Sequence, residues 1–270
     1  MNYCRFLLNS QVHYGSVEDI GGELWIAGPA PAPPEDLAYR LALEQGEIKN
    51  FDFPPMLLSA ADLLPPVTPS KIMCVGRNYR EHVRELGNEL PAEPLLFFKP
   101  PSSLLACGGT VRLPVLSTRV DFEGELALVI ARRVRKLAPE HNWRDVVRGF
   151  TLANDISARD LQKKDVQWTR AKGFDTFCPV GPVVSDEIDL DSGLTIETRL
   201  NGEVRQHATT ADFIFSVQVL LSAITAAITL EAGDLVLTGT PSGVGPLAAG
   251  DRVEVSMAGL GVLANRVEAD

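Results

Sequence analysis

The sequence lacks the features that mark a secreted, membrane-spanning or zinc-binding protein. Its four cysteines show no C-x-x-C spacing, which favours buried thiols in a reducing compartment over a metal or disulfide site. The segment MNYCRFLLNSQ has one basic residue and no long apolar run, so no signal peptide is expected. The longest apolar stretch, residues 213–230, is interrupted by polar side chains and indicates a core helix. These absences predict a cytoplasmic protein without a membrane partner.

Positive charge is also scarce. The chain has 25 Lys and Arg against 35 Asp and Glu, a formal net charge of −10, which argues against nucleic acid as a partner. The glycine-rich segment GTPSGVG lacks the Lys-Ser/Thr pair of a phosphate loop, so a nucleotide cofactor is not expected. The chain has 270 residues, 45% of them hydrophobic, which suffices for a sizeable core.

Short β-rich segments broken by Gly and Pro predict a strand-dominated mixed α/β fold. Of two Pro-rich stretches, GPAPAPPED and LLPPVTPS, the second is the better boundary, which divides a small N-terminal domain (1–69) from a main domain (70–270). Asn201-Gly202 predicts a tight hairpin turn. A helix is predicted after a cap at Asp212, and shorter ones over 78–86 and 157–164.

Two carboxylates, Glu123 and Glu125, stand two residues apart in the strand-like segment VDFEGELALVI. Residues i and i+2 of a strand point to the same face, so both carboxylates project together and Gly124 leaves the opposite side bare. A hard divalent cation would relieve their repulsion, because carboxylate oxygens suit Mg²⁺, Mn²⁺ or Ca²⁺. An ordinary solvated strand face explains the spacing about equally well.

An acid, a guanidinium and an amide recur at helical spacing in NDISARDLQ. On a helix, Asp155, Arg159 and Gln162 would share one face. Asp155 would complete a three-carboxylate site, and Arg159 offers a forked donor for a substrate carboxylate. A capping aspartate with a surface ion pair is the competing interpretation.

A possible general base lies in CVGRNYREHVREL, where His82 and Glu85 are three residues apart and are neighbours on a helix. An exposed ion pair is the alternative. Lys172 and Thr240 are weaker candidates beside a buried-looking turn and at the end of an apolar strand. The remaining histidines have no comparable acid partner: His13, His141 and His207.

Taken in order, six motifs resemble the fumarylacetoacetate hydrolase superfamily over about residues 70–256: CVGRNYREHVRE, LLFFKPPSSL, DFEGELALVI, NDISARDLQ, KGFDTFCPVGP and LTGTPSGVG. The resemblance implies a fumarylacetoacetate hydrolase C-terminal-like mixed β-sandwich roll with a small N-terminal domain, assembled as a homodimer. It makes 70–270 the catalytic domain. It also implies that Mg²⁺ or Mn²⁺ binds to Glu123, Glu125 and Asp155.

The resemblance further implies roles for single residues. His82 and Glu85 would form the catalytic dyad, with Lys172 as a further catalytic group that also contacts the substrate. The implied substrate-binding residues include three that would shape a lid, followed by three that would hold the 2-oxo carboxylate: Arg77, Asn78, Tyr79, Arg159, Gln162 and Thr240.

The main activity predicted on this basis is hydrolysis of a C–C bond in a 2,4-dioxo acid, an acylpyruvate or fumarylpyruvate, through a metal-chelated enolate. His82, oriented by Glu85, would activate water, and Lys172, Gln162 or Thr240 would donate to the oxyanion. Loops such as 86–94 would select the substrate's tail.

Other reactions suit the same enolate. They are isomerisation or decarboxylation of a 2-hydroxy-dienoic diacid, of the 5-carboxymethyl-2-hydroxymuconate or 2-hydroxyhepta-2,4-diene-1,7-dioate type, and decarboxylation or tautomerisation of oxaloacetate. Under every one of these alternatives the partner is a small 2-oxo acid or diacid. A non-catalytic protein that binds a metal or ligand is a more remote interpretation.

Overall fold

The computed structural model describes residues 1–31, 33, 36–48, 53–85 and 87–270. Within these residues strands far outnumber helices, which confirms the predicted strand-dominated mixed α/β class. Part of the Pro-rich segment GPAPAPPED and the first residue of the predicted 86–94 loop lie outside the described residues.

The strands of the described residues are numbered in chain order. They are β1 (Asn2–Leu8), β2 (Gln11–Ile20), β3 (Glu23–Pro29), β4 (Met56–Leu57), β5 (Asp62–Leu64), β6 (Ile72–Gly76), β7 (Leu95–Lys99), β8 (Leu104–Ala106), β9 (Thr110–Leu113), β10 (Val120–Phe122), β11 (Gly124–Ile130), β12 (Val147–Asn154), β13 (Ser157–Ala158), β14 (Cys178–Ser185), β15 (Thr195–Leu200), β16 (Glu203–Thr209), β17 (Leu235–Leu237), β18 (Gly245–Pro246), β19 (Arg252–Met257) and β20 (Gly261–Ala269).

These strands form three sheets. The largest has the order β4-β3-β2-β1-β14-β12-β11-β17-β6-β7, with β5 added beside β1 and β8 beside β14. A second sheet has the order β16-β15-β19-β20-β9, and a small third one the order β13-β10-β18. None of the sheets closes into a barrel within the described residues, which fits the predicted sandwich-like roll.

The helices of the described residues are short: α1 (Leu37–Glu44), α2 (Arg80–Glu85), α3 (Arg159–Lys164), α4 (Thr169–Lys172) and α5 (Val217–Ala227). Single 3-10 turns lie at Leu58–Ala60, Pro101–Ser103, Trp143–Asp145, Leu190–Ser192 and Thr210–Asp212. None of the described helices is long and apolar enough to cross a membrane.

Two helix starts were predicted wrongly. The cap of α5 is Ser216, whose hydroxyl accepts from the Val219 N–H, while Asp212 closes a capping box with Thr209 in the preceding 3-10 turn. The predicted helix over 157–164 begins only at Arg159, because the two residues before it pair with β10 as a strand. In both cases residues that the local sequence assigns to the helix belong to a neighbouring element, the 3-10 turn in the first case and the strand β13 in the second.

The hairpin prediction is confirmed. Strands β15 and β16 are antiparallel and meet at a two-residue turn. Asn201 has φ 54° and Gly202 has φ 84°, so both central residues occupy the left-handed region that a tight hairpin turn requires.

The core lies on both faces of the large sheet. All seven residues of β11 are buried: Leu126 and Leu128 pack into the cluster that also contains the apolar face of α5, and Ala127 and Val129 pack into the cluster on the opposite face. A strand buried on both faces reads as a continuous apolar run, which explains the segment ELALVI. This placement carries the start of β11 into the interior.

The cysteines are all free thiols. Cys4, Cys74 and Cys178 are buried as predicted, and burial raises the pKa of each above its ordinary value. Cys107 is only partly buried and lies in the connection between β8 and β9, beside the Val262 and Ala264 carbonyls of β20.

The N-terminal strands join the large sheet through β1, which pairs with β14 at Asn2↔Ser185 and Tyr3↔Val184. The chain then passes Ser70 and Lys71, which are fixed by the buried carboxylate of Asp234. That carboxylate accepts from the Ser70 N–H (3.0 Å), the Ser70 hydroxyl (2.7 Å) and the Lys71 N–H (3.0 Å). The division into domains at residue 70 stays a prediction.

The prediction that Gly124 leaves its side of the strand bare is wrong. A Cβ at this position would lie 2.0 Å from Thr198 Oγ1 and 3.2 Å from Gln206 Oε1, because the second sheet packs directly on the glycine backbone. The Gly124 N–H donates to Gln206 Oε1 at 2.9 Å. Glycine at this position therefore permits the close approach of the two sheets behind the Glu123 and Glu125 side chains.

Gly124→Ala should lower the free energy of unfolding by about 1–3 kcal/mol, because the methyl group overpacks the sheet interface. Urea denaturation measures the change. Gly28→Ala in β3 is a matched control, since a Cβ there meets no atom within 4 Å. Equal stabilities of the two variants would contradict the steric argument.

Candidate active site

Three buried carboxylates, Glu123, Glu125 and Asp155, converge at one end of the large sheet. One oxygen of each lies within 4.8 Å of the others, and the residues are 5%, 1% and 1% exposed. Glu123 and Glu125 flank the start of β11 and point to one face of the strand. Asp155 follows the paired strand β12, and its N–H donates to the Glu123 carbonyl at 2.8 Å.

Basic side chains neutralise two of these carboxylates. Lys172 Nζ lies 2.9 Å from Glu123 Oε2 and 2.7 Å from Asp155 Oδ2, and Arg159 Nη1 lies 2.6 Å from Glu123 Oε1. Burial opposes the charge on Glu123, but Arg159 and Lys172 hold its pKa below the ordinary value. Burial also opposes the charge on Lys172, but Asp155 and Glu123 hold its pKa above the ordinary value. Both groups are therefore ionised.

Glu125 is the carboxylate without a basic partner among the described residues. Its Oε2 accepts from the Gly239 N–H at 2.7 Å. Burial, and then the charges of Asp155 and Glu123, raise the pKa of Glu125 well above its ordinary value. The donor set is therefore all oxygen and short of positive charge at Glu125, which suits a hard divalent cation. Oxygens that already accept an N–H keep a second lone pair for coordination.

His82 and Glu85 form a contact on α2. His82 Nδ1 lies 3.1 Å from Glu85 Oε2, and Glu85 Oε1 accepts from the Gly243 N–H at 3.0 Å. An ionised carboxylate only accepts, so Nδ1 carries the hydrogen and Nε2 is left with the lone pair of a base. His82 is buried and Glu85 is exposed, so the pair is only partly open to solvent.

A cavity of about 360 Å³ joins these groups. Phe97 and Trp168 form an apolar part of its wall, with ring centroids 5.3 Å apart and an edge-to-face geometry. Glu85 does not border the cavity, but it contacts His82, which does. The predicted site residues that border the cavity are Arg77, His82, Glu123, Glu125, Asp155, Arg159, Gln162, Lys172 and Thr240.

Two predicted substrate-binding residues lie behind this wall. The Asn78 amide donates to the Thr238 carbonyl at 2.8 Å and accepts from the Phe215 N–H at 2.8 Å. The buried Tyr79 ring packs edge-to-face on Phe213 at 5.0 Å. Both side chains hold neighbouring segments together, and their contact with substrate stays a prediction.

The shared helical face predicted for Asp155, Arg159 and Gln162 is wrong, although all three border the cavity. Asp155 precedes β13, and only the other two lie on α3. The guanidinium group of Arg159 is not wholly free to bind a substrate carboxylate. Its Nε donates to Asp121 Oδ2 (2.9 Å) and its Nη1 to Gln162 Oε1 (3.0 Å). Its buried Nη2 has no partner among the described residues. One nitrogen, with two N–H groups, thus remains for a ligand.

The Thr240 hydroxyl is committed to the protein. It donates to the Gly124 carbonyl at 2.9 Å and accepts from Gln206 Nε2 at 2.8 Å. Its hydrogen is therefore not available to an oxyanion, which limits one of the roles predicted for this residue.

The sequence reasoning missed two buried charged residues, Lys99 and Asp121. Lys99 Nζ donates to Asp155 Oδ1 at 2.8 Å. Asp121 accepts from Arg119 Nε and from Arg159 Nε, each at 2.9 Å. A lysine inside the apolar strand LLFFK was the available signal for the first, and the i−2 position relative to Glu123 for the second. His207, for which no acid partner comparable to Glu85 is predicted, has its Nδ1 3.4 Å from Glu197 Oε2 on the exposed hairpin, away from the cavity.

The order of the motifs and the fold of this region agree with a known family. Residues 71–268 match the family model described as fumarylacetoacetate (FAA) hydrolase C-terminal. The chain belongs to the fumarylacetoacetate hydrolase superfamily.

Similar proteins carry several activities in their names. An oxaloacetate tautomerase of Bacillus subtilis is 40% identical over 78% of this chain and 74% of its own length. An oxaloacetate decarboxylase, mitochondrial, of Dictyostelium discoideum is 42% identical over 72% of this chain and 91% of its own length. The crystal structure of a 2-hydroxyhepta-2,4-diene-1,7-dioate isomerase from Mycobacterium marinum is 37% identical, with a TM-score of 0.84, over 100% of this chain and 99% of that chain.

Proposed function

We propose that this protein is a Mg²⁺- or Mn²⁺-dependent keto–enol tautomerase of a small 2-oxo dicarboxylic acid, with oxaloacetate as the substrate to test. The observation that carries the proposal is the His82–Glu85 pair on the wall of the cavity that also contains the three carboxylates. Relatives named for tautomerisation, decarboxylation and isomerisation support a reaction at an enol better than the C–C hydrolysis predicted first.

In this proposal Glu123, Glu125 and Asp155 hold the cation, which when bound supplies Lewis-acid polarisation of the 2-oxo acid. His82 Nε2 removes a proton from the carbon beside the carbonyl and returns it to the oxygen, or runs the same transfer in reverse. Glu85 keeps the Nδ1–H oriented and stabilises the imidazolium form. Phe97 and Trp168 restrict water at this wall of the cavity.

Proton transfer makes smaller demands on this site than hydrolysis. Hydrolysis needs an activated water and donors directed at an oxyanion. The Thr240 hydrogen is already donated to Gly124, and Lys172 directs two of its three N–H groups at carboxylates. A base with one free nitrogen suffices for tautomerisation.

The proposal is tested by mixing enol-oxaloacetate with the purified protein and following the loss of the enol's ultraviolet absorbance, with Mg²⁺, with Mn²⁺ and with EDTA. Acceleration that requires the metal, without release of carbon dioxide, is expected. Carbon dioxide from oxaloacetate would replace the tautomerase by a decarboxylase. Acetate and pyruvate from acetylpyruvate would restore the hydrolase.

Isomerisation of a 2-hydroxy-dienoic diacid is the second candidate function. The structural match to the isomerase of Mycobacterium marinum extends over the whole chain, which favours it specifically. The reaction needs the same base, because a proton moves between two carbons. Turnover of the dienoic diacid without turnover of oxaloacetate would decide for this candidate.

Two cationic side chains at the cavity support a substrate with a second carboxylate. Arg77 and Lys163 both border the cavity, and neither has an acidic partner among the described residues. The other basic groups of the cavity, Arg159 and Lys172, are already paired with carboxylates. We therefore propose that Arg77 and Lys163 bind the distal carboxylate of the substrate.

Lys163→Met should raise KM for oxaloacetate about tenfold, because a charge-assisted contact is worth about 1.5 kcal/mol or more. Steady-state kinetics on oxaloacetate and on its 4-methyl ester measure this, and the ester should lose the dependence on residue 163. Lys164→Met is a matched control, since Lys164 is the adjacent basic residue of α3 and does not border the cavity. An unchanged KM would remove Lys163 from substrate recognition.

The proposal also includes a homodimer and a small N-terminal domain over residues 1–69. Analytical ultracentrifugation tests the first, and a monomer at working concentration would contradict it. Limited proteolysis with mass spectrometry tests the second, since cleavage near residue 70 is expected if the two parts are separate.

A further inference from the structure

Lys99 carries a buried ammonium group to which neither the sequence nor the proposed reaction assigns a role. It ends β7 and is 1% exposed. Its Nζ donates to Asp155 Oδ1 at 2.8 Å, to the Ile156 carbonyl at 3.1 Å and to the Lys172 carbonyl. An ammonium has three N–H groups, so all three are used. Lys99 does not border the cavity that contains the three carboxylates.

The two oxygens of the Asp155 carboxylate have different partners. Oδ1 accepts from Lys99, and Oδ2 accepts from Lys172, whose ammonium group also donates to Glu123 Oε2. Rotation of the carboxylate would break the charge-assisted bond to Lys99, a type of bond worth about 1.5–3 kcal/mol. Lys99 thus keeps Oδ2 of Asp155 on the ammonium group of Lys172, which Asp155 shares with Glu123.

The contact with the Lys172 carbonyl fixes the opposite side of the cluster. Lys172 is the last residue of α4, a helix of only four residues that does not hold its own end rigidly. The same ammonium therefore restrains the ligand Asp155 and the backbone of the residue whose side chain lies against it.

A role in folding alone does not account for a lysine here. Burying an ammonium removes it from water at a penalty of several kcal/mol, and an apolar residue would suit a strand that reads LLFFK. The contacts of the Lys99 ammonium with the candidate ligand Asp155 and with Lys172 do explain a lysine at this position, because second-sphere contacts of this kind orient ligands and tune metal affinity.

We propose that Lys99 is a positioning residue that sets the divalent-cation affinity of the carboxylate cluster by holding Asp155 and Lys172 in fixed relation. The inference rests on the proposed function in one respect only, which is that the cluster binds a divalent cation. It does not depend on which reaction follows.

The test is Mn²⁺ binding to the full chain, measured by electron paramagnetic resonance of free Mn²⁺ and by calorimetry. Lys99→Met is expected to weaken binding about tenfold or more, the usual effect of losing a contact behind a ligand. Lys71→Met is the matched control, because Lys71 also pairs with a buried aspartate, Asp234, but lies away from the cavity. It should lose stability and keep wild-type affinity for Mn²⁺.

Lys99→Arg keeps the proposal falsifiable if the methionine variant does not fold. The larger fork keeps the charge but cannot reproduce three single bonds to diverging acceptors, so Mn²⁺ binding should weaken at least about threefold. Unchanged affinity in whichever of the two variants folds would overturn the positioning role. Affinity lowered equally in Lys71→Met would also overturn it, since general loss of stability would then be the cause.

The binding experiment separates this inference from the proposed reaction. Mn²⁺ affinity that depends on Lys99, in a protein that does not act on oxaloacetate, would leave the positioning role standing and overturn the tautomerase. A wild-type protein that does not bind Mn²⁺ would overturn both.

Discussion

His82→Gln should reduce turnover of oxaloacetate by about 10³-fold and leave Mn²⁺ affinity unchanged. General acid–base catalysis by a positioned side chain contributes about 10²–10⁴-fold. Glutamine can still donate an N–H to Glu85, in place of the His82 Nδ1 contact at 3.1 Å. It has no basic nitrogen, so the proton acceptor is lost. Initial rates with saturating Mn²⁺ and calorimetric Mn²⁺ titration measure the two quantities.

Another His–Glu pair, on the exposed hairpin, is a natural control for this result. His207 lies 3.4 Å from Glu197 on the exposed hairpin, and His207→Gln should retain the wild-type rate. Glu85→Gln should fall between the two, because the base remains but its orientation and the stabilisation of its charged form are weakened. Full activity in His82→Gln would assign the proton transfer to another group.

Asp155→Ala should abolish both turnover and the rise in melting temperature that Mn²⁺ produces. One of the three proposed ligands is removed, and a cation that binds only the folded state can no longer stabilise it. The metal-free protein should also lose about 3–5 kcal/mol, because Lys99 and Lys172 would keep buried charges without their shared partner. Differential scanning calorimetry with and without Mn²⁺ measures both effects.

Asp165→Ala provides the comparison for Asp155→Ala. Asp165 is also ion-paired, with Arg170 at 2.6 Å, but it does not border the cavity. This variant should keep the Mn²⁺-dependent rise in melting temperature. A rise of wild-type size in Asp155→Ala would remove Asp155 from the set of ligands.

Local periodicity accounts for what the sequence revealed correctly. The i, i+2 spacing placed Glu123 and Glu125 on one face, and Asn201-Gly202 specified a hairpin, because each depends only on residues adjacent in the chain. The family assignment rested on several motifs in order, and it is confirmed.

Contacts between distant segments account for what the sequence did not reveal. Asp155 matched a helical pattern, but pairing between β10 and β13 kept its segment extended. Thr240 offered a hydroxyl whose hydrogen is donated to Gly124, 116 residues earlier in the chain. Lys99 donates to Asp155, which lies 56 residues later in the chain, and helix or strand periodicity predicts no contact at that separation. Such commitments become visible only in three dimensions.

The segment from Gly239 to Gly243 has a further consequence for engineering. Its first residue donates to Glu125 and its last to Glu85, so a stretch of five residues connects the acidic cluster to the carboxylate that contacts His82. Both glycines have φ 98°, and a Cβ would lie 2.8 Å from Asn78 Cβ at one and 1.9 Å from the Arg205 carbonyl oxygen at the other. Loop grafting that lengthens this stretch would shift two halves of the site at once. Redesign of substrate range should therefore begin at Lys163 of α3, which borders the cavity and has no acidic partner among the described residues.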